Sequence, residues 1–193
     1  MSRNLLVFCG SKPGMSKAYT ESCKELARCM KAHKYNLVYG GGKVGMMGAI
    51  ADACLSEELY VTGVIPKFLE DKELAHPQAN EMISVESMHE RKLKMFQLSD
   101  AILALPGGIG TMEELFEMFT WKQLRLHDLP IAVLNTEGYY NPLVNMLNQM
   151  VEQGFLDDSF VQGLVIEETP EELMNRLSQL HEGNRLNSDL SKT

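Results

Sequence analysis

Leu105-Pro106-Gly107-Gly108-Ile109-Gly110-Thr111-Met112-Glu113-Glu114 is the stretch on which the fold turns. The apolar run from Ala101 to Leu105 stops at three glycines within four residues. A Thr-x-x-Glu pattern then opens the apolar spacing of Leu115, Phe116 and Phe119. That order predicts a strand, a glycine loop and a helix, with Thr111 as N-cap and Glu114 completing a capping box. Glycine permits positive φ and lets a ligand approach the backbone with no Cβ in the way. The helix start adds unpaired N–H groups and the positive end of its dipole. A phosphate group is expected there, beside carboxylates of the first helical turn, which points to chemistry on a nucleotide or sugar phosphate.

The same alternation extends in both directions. Short apolar runs predict strands at Leu5–Cys9, Asn36–Tyr39, Tyr60–Ile65, Met82–Val85, Ala101–Leu105, Ile131–Leu134 and Leu164–Ile166. Helical spacing fits Ser16–His33, where Tyr19, Cys23, Leu26 and Met30 form one stripe, and also Val44–Ser56, Met88–Leu98, Thr111–Leu124, Tyr140–Glu152 and Pro170–His181. Strands apolar throughout, alternating with helices, predict an α/β fold: a Rossmann-like, doubly wound parallel sheet with helices on both faces. Such a sheet binds ligands beyond the carboxyl ends of its strands. Three glycine-bearing loops fall at such ends: Gly10–Gly14, Gly40–Gly45 and Gly107–Gly110.

With 193 residues, 45% of them apolar, the chain is expected to form a single domain over 1–182, followed by a polar, disordered tail over 183–193. A formal net charge of -8 argues against a nucleic-acid partner, so an anionic ligand must be met by a local basic cluster. Cys9, Cys23, Cys29 and Cys54 lack C-x-x-C spacing and suit buried free thiols in a reducing compartment. No apolar stretch approaches the ~20 residues of a membrane span, and the N-terminal apolar run is too short for a signal peptide. A cytoplasmic location is the expectation. The five histidines show no metal-ligand spacing, and no metal is assigned.

Other patterns have competing explanations. Cys9 to Ser16 lacks G-x-G-x-x-G, and the second strand ends without an acid for a ribose, which disfavours NAD or FAD. Gly40–Gly45 is either a tight strand-to-helix turn or a ligand loop, and Lys43 lacks the following Ser or Thr of a P-loop. Met88-His89-Glu90-Arg91-Lys92-Leu93-Lys94 is either a charged helix face, with Glu90 and Lys94 paired, or a basic cluster facing the glycine loop that follows it. Capping and the helix dipole alone can explain Glu113, Glu114 and Glu117, although not the glycines before them or the basic cluster upstream.

Pro106-Gly107-Gly108-Ile109-Gly110-Thr111-Met112-Glu113-Glu114 resembles the P-G-G-x-G-T-x-x-E signature of the LOG family, cytokinin-activating phosphoribohydrolases long labelled possible lysine decarboxylases. The likeness extends to Met88-His89-Glu90-Arg91-Lys92, Cys9-Gly10-Ser11, Tyr39-Gly40-Gly41-Gly42 through Gly45-Met46-Met47-Gly48, and Gly63-Val64-Ile65-Pro66. It implies a homodimer that hydrolyses the N-glycosidic bond of a nucleoside 5′-monophosphate to free base and ribose 5-phosphate. AMP, a prenylated AMP, or both would be the substrate. By the same resemblance Arg91 and Glu114 are the catalytic pair. Lys92, Gly107, Gly108, Ile109, Gly110 and Thr111 hold the nucleotide together with Gly10, Ser11, Gly41 and Gly42, and Glu73 contacts the base.

The chemistry is coherent with these residues. Glycosidic cleavage passes through an oxocarbenium-like ribose, which a carboxylate such as Glu114 stabilises while orienting water. Arg91 stays protonated, so it holds either the substrate or Glu114. No cofactor is required, and no lysine stands out as the Schiff-base residue of a pyridoxal phosphate decarboxylase. Molybdenum-cofactor carrier proteins share this fold type and bind without turnover. The joint presence of Arg91 and Glu114 separates the hydrolase from that alternative.

Overall fold

The computed structural model describes residues 2–73 and 75–190, with the side chains of 71–73 and 182–190 outside that description. The last helix continues to Leu190, into the stretch expected as a disordered tail over 183–193, and 191–193 lie outside the described residues. Seven strands, β1 (Arg3–Phe8), β2 (Tyr35–Tyr39), β3 (Val61–Pro66), β4 (Glu81–Val85), β5 (Ala101–Ala104), β6 (Ile131–Leu134) and β7 (Val165–Glu167), form one sheet. Between them run α1 (Lys17–Ala32), α2 (Gly45–Ser56), α3 (Lys67–Glu73), α4 (Met88–Gln97), α5 (Ile109–Gln123), α6 (Asn141–Glu152) and α7 (Asp158–Gln162), and α8 (Pro170–Leu190) follows the last strand. A 3-10 turn over Thr136–Gly138 precedes α6. No helix among the described residues is long and apolar enough to cross a membrane.

All pairings are parallel, in the order β4-β3-β2-β1-β5-β6-β7. The Rossmann-like doubly wound sheet expected from the sequence is the one observed. Alternation along β1 explains why both faces are apolar. Leu5 and Val7 join Cys23, Leu26, Met30 and Ile50 of α1 and α2. Leu6 and Phe8 join Met95, Leu115 and Met118 of α4 and α5 on the other face. Each such side chain contributes about 1.5–3 kcal/mol by leaving water, so β1 is fixed from both sides.

Winding reverses between β1 and β5, and this topological switch positions the site. Phe8 pairs with Ala104, so the two central strands finish level. The chain leaving β1 at Cys9-Gly10 and the chain leaving β5 at Leu105-Pro106 therefore emerge side by side. Gly10 N–H donates to the Pro106 carbonyl at 3.2 Å.

Candidate active site

The loops after β1, β2 and β5, all singled out by their glycines, converge above this switch. A Cβ on Gly107 would lie 2.1 Å from Thr111 Oγ1 and 2.8 Å from Gly10 N, so the first and third loops approach through backbone alone. Gly45 has φ +64°, and a Cβ there would lie 2.3 Å from the Ser11 carbonyl. Met46 and Met47 N–H groups donate to the Gly10 carbonyl at 3.0 and 3.3 Å. The start of α2 is thus occupied by the neighbouring loop, whereas α5 begins differently.

Helix α5 starts at Ile109 with Gly108 as its cap, and that cap has no side-chain hydrogen bond. Met112 N–H makes the bond back to Gly108. The N–H groups of Ile109, Gly110 and Thr111 precede the first intrahelical partner, as at any helix start. A Cβ on Gly108 or Gly110 would meet no protein atom within 4 Å. Packing asks for glycine at 107 and not at 108 or 110.

This helix start corrects the capping-box expectation. Thr111 lies inside the helix and is buried, with its hydroxyl oxygen against Gly107. Glu114 lies beyond the first turn, so neither a cap nor the strongest part of the dipole accounts for it. A related arrangement instead opens α4: Ser87 Oγ accepts from Glu90 N–H at 3.2 Å as in a capping box, while the Glu90 carboxylate reaches one residue past the cap and accepts from Glu86 N–H at 2.8 Å. This bond to the Glu86 N–H engages the Glu90 carboxylate, in place of the expected Lys94 pairing.

A cleft of about 480 Å³ lies at this point, lined among others by Gly10, Ser11, Arg91, Glu114 and the backbone from Pro106 to Thr111. Arg91 is 4% exposed. Its Nη2 donates to the Gly40 carbonyl at 2.6 Å and its Nε to the Val64 carbonyl at 3.1 Å, across the ends of β2 and β3. Charge-assisted bonds to backbone offset its burial. Cys9 lies within electrostatic reach of both proposed catalytic groups. Burial, then Cys23 and Glu114, push its thiol pKa well above the ordinary range, while Arg91 pulls the other way.

Other residues expected at the site lie elsewhere. Lys92 faces α5, where Nζ lies 3.1 Å from Glu117 and also bonds Glu113, and it is not among the cleft-lining residues. Burial opposes its charge, but the two carboxylates prevail and raise its pKa. Adjacent helical residues point about 100° apart, so Arg91 and Lys92 do not share an outlook. Gly41 and Gly42 also lie away from the cleft. Gly41, at φ +83°, packs under Met82 and Ile65, and Gly42 forms a bridge to Ala75. Glu73 ends α3, and its side chain lies outside the described residues.

The cleft also contains groups that the sequence reading passed over. Leu69, Met46, Met47 and Met88 give it an apolar wall. Tyr19 and Tyr139 meet edge-to-face with centroids 5.8 Å apart, and both line it. The Tyr139-Tyr140 pair directly after the β6 turn was the available signal. Gly40 was another: a Cβ there would stand 2.2 Å from Arg91 Nη2. Among the described residues no cluster of three or more His, Cys, Asp or Glu side chains could hold a metal ion.

Known proteins resemble this chain in sequence and in fold. Residues 47–177 match the family model described as "Possible lysine decarboxylase". "Probable cytokinin riboside 5'-monophosphate phosphoribohydrolase LOGL2" of Oryza sativa subsp. japonica is 44% identical over 177 residues, covering 92% of this chain and 72% of that protein. "Cytokinin riboside 5'-monophosphate phosphoribohydrolase LOG3" of Arabidopsis thaliana is 40% identical, covering 92% and 82%. The molybdenum cofactor carrier protein of Chlamydomonas reinhardtii superposes with a TM-score of 0.69 at 16% identity, covering 94% of this chain and 99% of that one, a likeness of fold. The chain belongs to the LOG family.

Proposed function

We propose that this LOG-family chain hydrolyses the N-glycosidic bond of a nucleoside 5′-monophosphate, AMP or its N6-prenylated form, to free base and ribose 5-phosphate. The carrying observation is the open backbone at Gly108 and Gly110, which faces the same cleft as Arg91 and Glu114. The glycines leave room for the 5′-phosphate to reach the start of α5, where N–H groups and the dipole favour an anion. Glu114 then faces the ribose and stabilises the oxocarbenium-like transition state while orienting water. Arg91, fixed by two backbone carbonyls, orients the substrate or that carboxylate. The apolar wall of Met46, Met47, Leu69 and Met88 suits the base and an aliphatic substituent on it. A cleft of this volume falls within the roughly 300–1,000 Å³ of small-molecule sites.

The activity for which relatives at 40–44% identity are named supports the reaction. Lysine decarboxylation has less support. A Schiff-base lysine would have to stand in the cleft, and Lys92 faces Glu113 and Glu117 instead. Lys12 does line the cleft, but from an exposed loop, where water is not excluded from an imine as a Schiff-base site requires. We place the enzyme in the cytoplasm as a homodimer, an assembly supported by the exposed Leu93 of α4 and Ile109 and Phe116 of α5. Light scattering should give twice the chain mass of 21.7 kDa.

The deciding experiment is chromatography of purified protein incubated with AMP or adenosine. Adenine and ribose 5-phosphate should appear from AMP, with adenosine turned over far more slowly. Equal turnover of the two would remove the role of the glycine loop. Tight binding with no release of base would favour a carrier of the same fold.

A further inference from the structure

Three successive carbonyls at the end of β5 are each held by a different group. Leu105 O accepts from Tyr140 Oη at 2.7 Å, Pro106 O accepts from Gly10 N–H at 3.2 Å, and Gly107 O accepts from Tyr139 Oη. In a trans peptide the carbonyl and the following N–H point in opposite directions. Tying the Gly107 carbonyl to Tyr139 therefore fixes which way the Gly108 N–H points. The bond matters at this peptide because glycine flanks it on both sides, and no Cβ hinders its rotation. A flipped peptide would present a carbonyl oxygen where the start of α5 otherwise presents N–H groups, and an anion there would be repelled.

Tyr139 is itself held in place. Asn135 Oδ1 accepts from Tyr140 N–H at 2.6 Å, and Asn135 Nδ2 donates to Asn141 at 2.8 Å. The turn between them uses positive φ at Glu137 and Gly138. The Tyr139 ring then packs edge-to-face on Tyr140 at 5.1 Å and on Tyr19 at 5.8 Å. Tyr140 is buried, whereas Tyr139 is 39% exposed and borders the cleft. Its hydroxyl is thus delivered to the glycine loop from β6, an element that supplies no other group to the cleft lining before this turn.

We infer that Tyr139 is a positioning residue for the phosphate subsite, acting through the Gly107 carbonyl to hold the Gly107–Gly108 peptide in its anion-accepting orientation. The inference rests on the phosphoribohydrolase reading and adds the device that keeps its glycine loop in one state. The specificity it confers is for the phosphorylated ribose and not for the base.

The test is Tyr139→Phe, which keeps the ring and its aromatic contacts and removes only the hydroxyl. With AMP as substrate, KM should rise about tenfold, in line with the loss of one hydrogen bond that sets a charged contact, while kcat changes less than about twofold. Inhibition by ribose 5-phosphate should weaken by the same factor, and inhibition by free adenine should stay as in the wild type. The melting temperature should move by no more than a few degrees. Unchanged KM and unchanged ribose 5-phosphate inhibition in a folded variant would overturn the inference. So would a fall confined to kcat, which would place the hydroxyl in the chemistry, or equal weakening of both inhibitors, which would make Tyr139 a wall of the cleft. Wild-type protein that neither turns over AMP nor binds ribose 5-phosphate would overturn the phosphoribohydrolase reading itself, an outcome distinct from active wild type with an indifferent Tyr139→Phe.

Discussion

The carbonyl of Gly40 accepts a hydrogen bond from Arg91 Nη2 at 2.6 Å, and a Cβ at residue 40 would fall 2.2 Å from that same nitrogen. A glycine that looked like part of a phosphate loop is instead the seat of the buried arginine. Gly40→Ala should push the guanidinium out of its seat while leaving the sheet intact. Steady-state kinetics with AMP should show at least a tenfold loss in kcat/KM with the far-UV circular dichroism unchanged. Normal kinetics in this variant would mean that the position of Arg91 is immaterial to turnover.

The glycine loop separates packing from ligand approach residue by residue. Gly108→Ala meets open space at a φ of -95°, so the fold should hold or gain slightly, within about 1 kcal/mol, from a stiffer unfolded chain. Its KM for AMP should nevertheless rise at least tenfold. Gly107→Ala drives a methyl group against Thr111 and Gly10, and should lower stability by roughly 1–3 kcal/mol. Denaturant titrations beside AMP kinetics on the two variants test this crossover.

For Glu114 the helix cap no longer offers an alternative role, because Gly108 fills that position. Glu114→Gln removes the charge and little volume. Turnover of AMP should fall by about a hundredfold, the usual effect of losing one preorganised electrostatic group. Equilibrium binding of AMP should persist. Near-normal turnover would leave the mechanism without its central carboxylate.

Acid should loosen the far end of α5. His127 Nδ1 accepts from Leu129 N–H at 3.1 Å, and Nε2 lies 3.1 Å from the Met118 carbonyl, so the neutral ring serves both. Burial lowers its pKa, the Met118 carbonyl opposes that shift, and Lys122 adds to it. A histidine with a depressed folded-state pKa contributes stability above its unfolded value of about 6.5, and that contribution is lost as pH falls through the lower folded value. Melting temperatures of the wild type should drop between pH 7.5 and pH 5 by more than those of His127→Gln, which does not titrate. Parallel curves for the two proteins would count against this assignment.

How far the sequence could be read depended on the range of each interaction. All seven strands and six of the eight helices have period or composition long enough to show, and their observed bounds lie within a few residues of those expected, except that α8 runs on to Leu190 where His181 was the expected end. Helix α3, seven residues with five charged among them, and α7, five residues long, carry too few positions for a period to appear. The start of α5 was misplaced because Thr-x-x-Glu imitates a capping box, whereas the observed cap is a glycine with no side-chain signal. Lys92 was grouped with Arg91 by adjacency, yet one step along a helix turned it toward Glu117. Tyr139 reaches Gly107 across 32 residues, through a turn that no local pattern announces. The glycines were legible as a class, but their separate purposes depend on which atoms the sheet brings beside them.

The interlocking of Gly10 with Gly107 and of Ser11 with Gly45 has a consequence for how the protein fails. Loops this rich in glycine ordinarily lose the most freedom when ordered. Here they are ordered by contact with one another, directly above the two central strands. Site and core should therefore unfold as one cooperative unit, the cleft melting together with the sheet. On heating, inactivation and global unfolding should follow a single curve, so the cleft has no early softening of its own.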